Sequence, residues 1–380
     1  MIYFDNSATT ELSPSAKESM KNAMEVYGNP SSLHKAGLEA EKLLRTARAD
    51  VMRALGAKNG ELVFTSCGSE ANNLALFGSA WAKQRRTATK ILLTDSEHPA
   101  VENPVKRLEE QGFRAVRIPT KGGVLDLDAV EREAEGVFLA SFMMVNNETG
   151  ARYDVEKAFS IIRAKSPDAV LHCDAVQGFL KVPFKAADTG ADLITVSAHK
   201  IHGPKGVGAL WIAPDMIKKK KIVPFLLGGG QENGMRSGTE NTVGICGFAA
   251  AAKDGYDIFA RDTAKMKEIR EYIISHMPAD IRVNMPIGEA APHIVNITLP
   301  KIKSETMLHF LSAKDIFVSS GSACSSHSRS VSRALTAFGL DAREADMSLR
   351  ISISAYNTEE EAEALISALK EGTEKLVKIR

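Results

Sequence analysis

Between residues 61 and 212 the chain alternates short apolar runs with longer stretches whose apolar residues recur at helical spacing. The runs at residues 62–65, 90–94, 114–118, 137–145, 169–173, 192–196 and 207–212 predict strands. Most are separated by amphipathic stretches that predict helices, among them 70–83, 99–111, 127–134 and 155–164. Seven strands alternating with helices imply an α/β fold with a mainly parallel sheet covered on both faces. After the Gly-rich segment 228–231 the texture changes. A long helical stretch over 243–277 reads as a connector. Beyond it, strands are predicted at 281–283, 294–299, 316–319 and 349–354, with helices at 304–313, 329–338 and 359–379. This is a smaller α+β unit, and the N-terminal segment to about residue 15 is expected to pack with it or across the cleft.

Composition narrows the picture. At 380 residues the chain has room for two or three domain-sized units. Its 48 basic and 47 acidic residues leave a formal charge of +1, which provides no electrostatic footprint for nucleic acid. The lysine run at 218–221 reads as a solvated helix end or loop. No stretch reaches the length of a membrane span, and no signal peptide is visible. Cys67, Cys173, Cys246 and Cys324 form no CxxC pair, which argues against a disulfide framework or a zinc ribbon. A cytoplasmic protein with reduced thiols is expected.

Sheets of this kind bind ligands beyond the carboxyl ends of their strands. Polar clusters stand at five such ends: 65–70, 97–98, 146–148, 174–177 and 197–200. In Ser-Ala-His-Lys-Ile-His-Gly-Pro-Lys-Gly, 197–206, Lys200 follows a β-prone run and precedes a Gly-Pro turn. A rigid, partly desolvated amine there suits Schiff-base chemistry, the alternative being an ordinary solvated lysine. Small and hydroxyl residues at 65–73 leave backbone amides for a phosphate or simply cap a helix. Asp174, three residues before Gln177, either keeps a pyridinium nitrogen protonated or serves as an N-cap. His98 either stacks on a planar cofactor and moves protons, or is structural. Cys324 lies in the small-residue tract 319–326, as a nucleophile that travels between two partners or as an incidental loop cysteine. Cys173 and Cys246 lie in apolar runs and read as buried fillers. Arg350, within an apolar run, needs an anion: a substrate carboxylate or a structural partner.

Taken in series, these motifs resemble the cysteine desulfurases of the NifS/IscS type, in the class V aminotransferase superfamily of pyridoxal-phosphate (PLP) enzymes. The resemblance runs nearly end to end. It includes Tyr-Phe-Asp-Asn-Ser-Ala-Thr-Thr at 3–10, Gly-Asn-Pro-Ser-Ser-Leu-His at 28–34, the turn at 64–73, Glu-His at 97–98 and Asn-Asn-Glu at 146–148. Asp-Ala-Val-Gln at 174–177, the lysine segment, Gly-Gly-Gly-Gln-Glu at 228–232, Arg-Ser-Gly-Thr at 236–239, Gly-Ser-Ala-Cys-Ser at 321–325 and Leu-Arg-Ile-Ser at 349–352 complete it.

The resemblance implies PLP-dependent fold type I, with a large domain of residues 16–247. A small domain of 1–15 and 248–380 would carry the cysteine loop. Lys200 would form the Schiff base, Asp174 pair with the pyridine nitrogen, and Gln177 bond the phenolic oxygen. His98 would stack on the ring and shuttle protons. Ser69, Ser197 and His199, with amides around Gly68, would hold the phosphate, completed by Thr239 from the other subunit of a homodimer. Asn147 and Arg350 would orient L-cysteine, Arg350 by its carboxylate. Cys324 would take the sulfur as a persulfide, release L-alanine, and pass sulfur to an acceptor protein of iron–sulfur assembly or tRNA thiolation. No resident metal is implied, only transient ligation of an iron–sulfur cluster by Cys324.

Two departures stand out. Cys67 replaces a usual glycine and Ser69 a usual threonine at the phosphate turn, while Ser7 replaces an alanine. A selenocysteine lyase, another class V aminotransferase and a silent assembly component are the competing readings; the Gly-Ser-Ala-Cys tract favours the desulfurase.

Overall fold

The computed structural model describes residues 1–82, 88–320 and 331–378. Its strands are β1 (Ile2–Tyr3), β2 (Glu61–Thr65), β3 (Lys90–Thr94), β4 (Arg114–Ile118), β5 (Val137–Met143), β6 (Val170–Asp174) and β7 (Leu193–Ser197). They continue as β8 (Gly208–Ile212), β9 (Arg282–Val283), β10 (Ile294–Thr298), β11 (Ile316–Phe317), β12 (Ser319–Ser320) and β13 (Ser348–Ser352). The large sheet has seven strands in the order β2-β8-β7-β6-β5-β3-β4, and β8 alone runs against the others. Every residue of β5, β6, β7 and β8 is buried. Burial on both faces explains why these strands read as unbroken apolar runs rather than alternating ones. In β3, Ile91 and Leu93 enter the core on one face and Leu92 the core on the other. At the edge, β4 keeps Arg114 exposed, a charge that blunts edge pairing.

The helices follow from their ends. Pro99–Glu109 begins with proline at its first turn, where no amide needs a partner, and His98 caps it. Glu359–Lys375 opens with a capping box between Thr358 and Glu361 and three glutamates in the positive first turn. It stops short of the expected residue 379, because Leu376 turns extended to pack on the small core.

Two further expectations change. The connector over 243–277 is two helices, Thr242–Asp257 and Phe259–Ser275, broken at Ile258. Phe248, Ala249 and Ala252 pack in the large core, whereas Met266, Ile269 and Ile273 pack in the small one. A division at residue 247 therefore falls inside the first of these helices. The run 316–319 is also split, because its halves serve different sheets. β11 pairs in parallel with β1, while β12 joins the antiparallel sheet β12-β13-β10-β9. The helix expected from 329 begins at Arg333, behind the Ser332 cap; residues 329–330 lie outside the described residues.

The N-terminal segment does both things expected of it. Phe4 is fully buried in the small core, and Asp5 bridges Ser352. Farther on, the Thr10 amide donates to His199 O at 2.9 Å and the Ser13 amide to His202 O at 2.9 Å. The strap thus runs from the small sheet to the turn that carries Lys200.

Phe142 and Phe159 anchor the large core, stacked at 5.7 Å between centroids and fully buried. Phe142→Ala should cost about 3–5 kcal/mol, read as an earlier urea midpoint. Leu33→Ala, at a side chain 92% exposed, should leave that midpoint in place.

Candidate active site

A cleft of about 300 Å³ opens at the carboxyl ends of the parallel strands. Cys67, Gly68 and Ser69 reach it from the end of β2, His98 from beyond β3, Asn147 from beyond β5, Asp174 and Gln177 from β6, and Ser197, His199 and Lys200 from β7. Arg350 enters from β13, so both sheets contribute. Gly208 begins the reversed strand β8 against this floor. A Cβ there would stand 2.5 Å from the Cys67 carbonyl carbon and 2.8 Å from the Gly68 nitrogen, so only glycine lets the strand and the turn meet.

Lys200 closes a single helical turn, Ala198–Lys200, directly after β7. Its Nζ donates to Ser7 O at 2.6 Å and Ala8 O at 2.9 Å. Ser7 O also accepts from Gln177 Nε2 at 2.9 Å, and Gln177 Oε1 meets His293 Nε2 at 3.3 Å. Asp174 is fixed from two sides: Asn72 Nδ2 donates to Oδ2 at 2.8 Å and the Val176 amide to Oδ1 at 3.0 Å. His98 Nδ1 accepts the Ala100 amide at 3.1 Å, so the neutral ring carries its proton on Nε2. Burial holds His98 below its ordinary pKa, opposed by Asp174 and reinforced by Lys200. Burial, then Lys200, Lys205 and Lys181, bring His199 down to about 4.

These groups fit pyridoxal phosphate. The Ser197 hydroxyl is buried with no hydrogen-bond partner among the described residues, beside the amides that open the helix Gly68–Ala82. That is an acceptor-seeking hydroxyl next to a positive helix end, as a phosphate requires. Lys200 supplies the amine and Asp174 a fixed carboxylate within the same cleft.

Arg350 is placed where the sequence reading puts it, but it already has an anionic partner. Nη2 donates to Asp5 Oδ1 at 2.8 Å and Nη1 to Asn147 O at 2.9 Å. Cys67 lines the cleft, its sulfur 3.7 Å from Ser66 Oγ. Thr239 is not brought into the cleft by this chain. It is exposed and lines a separate recess with Ser66 and Arg236. Cys324 lies outside the described residues. Cys173 and Cys246 are buried, as expected of fillers.

Four groups escape sequence reasoning: Asp5, His293, Lys181 and the acid side chain of Glu97. Lys181 is 4% exposed, its Nζ has no hydrogen-bond partner among the described residues, and burial with Lys200 nearby lowers its pKa to about 7. A lysine inside the apolar run Phe179–Val182 was the available signal. Glu97 Oε1 accepts from the Met143 amide and from Thr94 Oγ1, both at 2.8 Å, under the floor of the cleft. Burial, with Asp174 adding to it, raises its pKa to about 8.

The raised acid sets a sign. The folded protein keeps the Glu97 proton up to about pH 8, while the unfolded chain loses it near 4.5. Its contribution is whole below the unfolded value and is lost as pH rises from there to about 8, at up to ~1.4 kcal/mol per pH unit. Urea unfolding between pH 5 and 8 should therefore show a steeper decline for the parent protein than for Glu97→Gln. Equal slopes would mean that Glu97 titrates like an exposed carboxylate.

Comparison with known proteins agrees with this geometry. Residues 2–365 match the family model for class-V aminotransferases. A cysteine desulfurase of Trichormus azollae is 38% identical, over 99% of this chain and 94% of its own length. Cysteine desulfurase IscS of Dictyoglomus turgidum is 35% identical, over 99% and 95%. Among solved structures, a NifS-like protein superposes with a TM-score of 0.91 at 34% identity, covering 99% of this chain and all of its own. SspA in complex with cysteine gives 0.81 at 31%, covering 94% of this chain and all of its own. Among the described residues no helix is long and apolar enough to cross a membrane. The chain belongs to the class-V aminotransferase family, whose members use pyridoxal phosphate, and within it to the cysteine desulfurases.

Proposed function

We propose that this chain converts L-cysteine and the Cys324 thiol into L-alanine and a Cys324 persulfide. The observation that carries this reading is the meeting of Lys200, Asp174 and Arg350 in one cleft, an amine, a carboxylate and a guanidinium drawn from both sheets. Bound pyridoxal phosphate supplies an electron sink for charge developing at the substrate Cα.

The chain's own residues do the rest. Lys200 would hold the cofactor through its amine and would carry the proton taken from the substrate Cα. Asp174, pinned by Asn72 and Val176, would pair with the ring nitrogen. Gln177 would bond the phenolic oxygen. His98 would stack on the ring, with a donatable proton on Nε2. Gly68, Ser69, Ser197 and His199 would hold the phosphate. Asn147 and Arg350 orient the amino acid, and Cys324 attacks its sulfur; that sulfur's bond to Cβ breaks as the new S–S bond forms, and a proton replaces it on carbon.

The active form is a homodimer in which Thr239 completes the phosphate cup of the second copy. An exposed aromatic cluster adjoining that segment supports this. Phe77, Trp81 and Phe225 stack within 6.5 Å of one another. Trp81 is 45% exposed and Leu227 77%, an apolar patch of the kind a partner covers. Cys67, Cys173 and Cys246, all unpaired, support a reducing, cytoplasmic setting. The small residues around Cys324 suit delivery of sulfur to a second protein, in iron–sulfur assembly or tRNA thiolation.

Two variants test the reading. Lys200→Ala should lose the yellow colour of the Schiff base. Cys324→Ser should keep that colour while sulfide release from L-cysteine falls on the order of 10³-fold, as loss of a covalent nucleophile does. Sulfide release that survives Cys324→Ser would remove the persulfide step.

A further inference from the structure

Arg350 does not face the cleft as a bare cation. Its side chain is 6% exposed and that of Asp5 21%, and they form an ion pair at 2.8 Å. The other donating amine, Nη1, is taken by Asn147 O at 2.9 Å. The backbone of both partners is held in place. Asp5 bridges Ser352, two residues beyond Arg350 on β13, and its neighbours Phe4 and Asn6 donate their amides to Phe317 O and Ser352 O. Arg350 itself is paired across the sheet to both Asn296 and Ser319. A second carboxylate, Glu148, contributes to the local field but is engaged by Ser332 Oγ at 2.7 Å. The guanidinium offered to the cleft is thus already countered by a carboxylate locked onto the same sheet.

We propose that Asp5 is a resident counter-ion that sets how strongly Arg350 takes the substrate carboxylate. It is a positioning residue, acting through Arg350, and the proposal rests on the reading of Arg350 as the carboxylate clamp. Two consequences follow from charge alone. Asp5 keeps the guanidinium oriented and neutralised while the cleft holds no amino acid, where an unpaired buried cation is costly. An incoming carboxylate then shares one guanidinium with a fixed like charge, so its affinity is reduced and the product carboxylate leaves readily.

Asp5→Asn keeps an acceptor oxygen near Nη2 but removes the charge. In the holoenzyme, binding of L-alanine can be followed by the cofactor absorbance and checked by equilibrium dialysis. Cysteamine, which lacks the carboxylate, is the parallel probe. Asp5→Asn should tighten L-alanine binding about three- to tenfold, the scale of removing one partly screened like charge, and leave cysteamine unmoved. A merely structural Asp5 would instead weaken both. Unchanged or weaker L-alanine binding, or an equal shift for cysteamine, overturns the proposal. Asp5→Ser carries the same expectation should the asparagine variant fail to fold. Arg350→Gln serves as the separate control: if it leaves L-alanine affinity untouched, the clamp reading itself falls, whatever Asp5 does.

Discussion

The site depends on one strap of chain, residues 4–13, laid between the two sheets. Ser7 O receives both Lys200 Nζ and Gln177 Nε2, Asp5 receives Arg350, and the Thr10 and Ser13 amides donate to the His199 and His202 carbonyls of the lysine turn. Phe4, buried in the small core, fixes the strap at one end. The groups assigned to the cofactor and to the substrate carboxylate are therefore positioned by the same few backbone atoms. Carbonyl oxygens suit this task. They hold an ammonium in place without the full charge of a carboxylate, so Lys200 is oriented while its amine can still be given up to another partner.

The large sheet does a second, independent job. Its central strands are buried on both faces, where polar side chains such as Ser141, His172 and Thr195 bond one another, so polar groups open to a ligand stand where the parallel strands end together. Asp174 and Ser197 are each the last residue of a strand, and Gly208 is the first residue of the one reversed strand. Reversing β8 lets a glycine meet the turn after β2 from the opposite direction, where a strand with a side chain would collide. The close approach of Gly208 to Gly68 is what brings the amide end of a helix beside Ser197.

Much of this was legible in the chain because its signals are local. Strand runs, the Pro99 helix start and the polar clusters at strand ends each fit within a few residues, and the strands of the large sheet lie within two residues of where the apolar pattern puts them. What the sequence hid are pairings across distance. Asp5 and Arg350 stand 345 positions apart, and Gln177 and His293 116. No spacing rule links such residues, and Asp5 in isolation is one acidic residue near a terminus. The break at Ile258 escaped because both halves of that stretch are apolar at helical period; the two cores they enter differ, and periodicity does not report which core. The division at Val318 is the same problem in a strand, since successive residues there pair with partners from opposite ends of the chain.

The balance of charge around the cleft points to what it is built to hold. Lys200 and Arg350 contribute cations, and Lys181 adds a buried amine whose own pKa is lowered to about 7. His199, His293 and Lys181 are each lowered by burial and by neighbouring cations. Against them stand Asp174 and Asp5, while Glu97 keeps its proton. Cations crowded enough to depress one another leave positive potential for a ligand to satisfy. An amino acid alone, carrying one carboxylate and one ammonium, brings no net charge. On the function proposed above, a cofactor phosphate would supply the missing anion at the Ser197 end, and the Arg350 end, already countered by Asp5, would judge the substrate. On that reading, separate anion sites would let the cofactor stay while amino acids exchange.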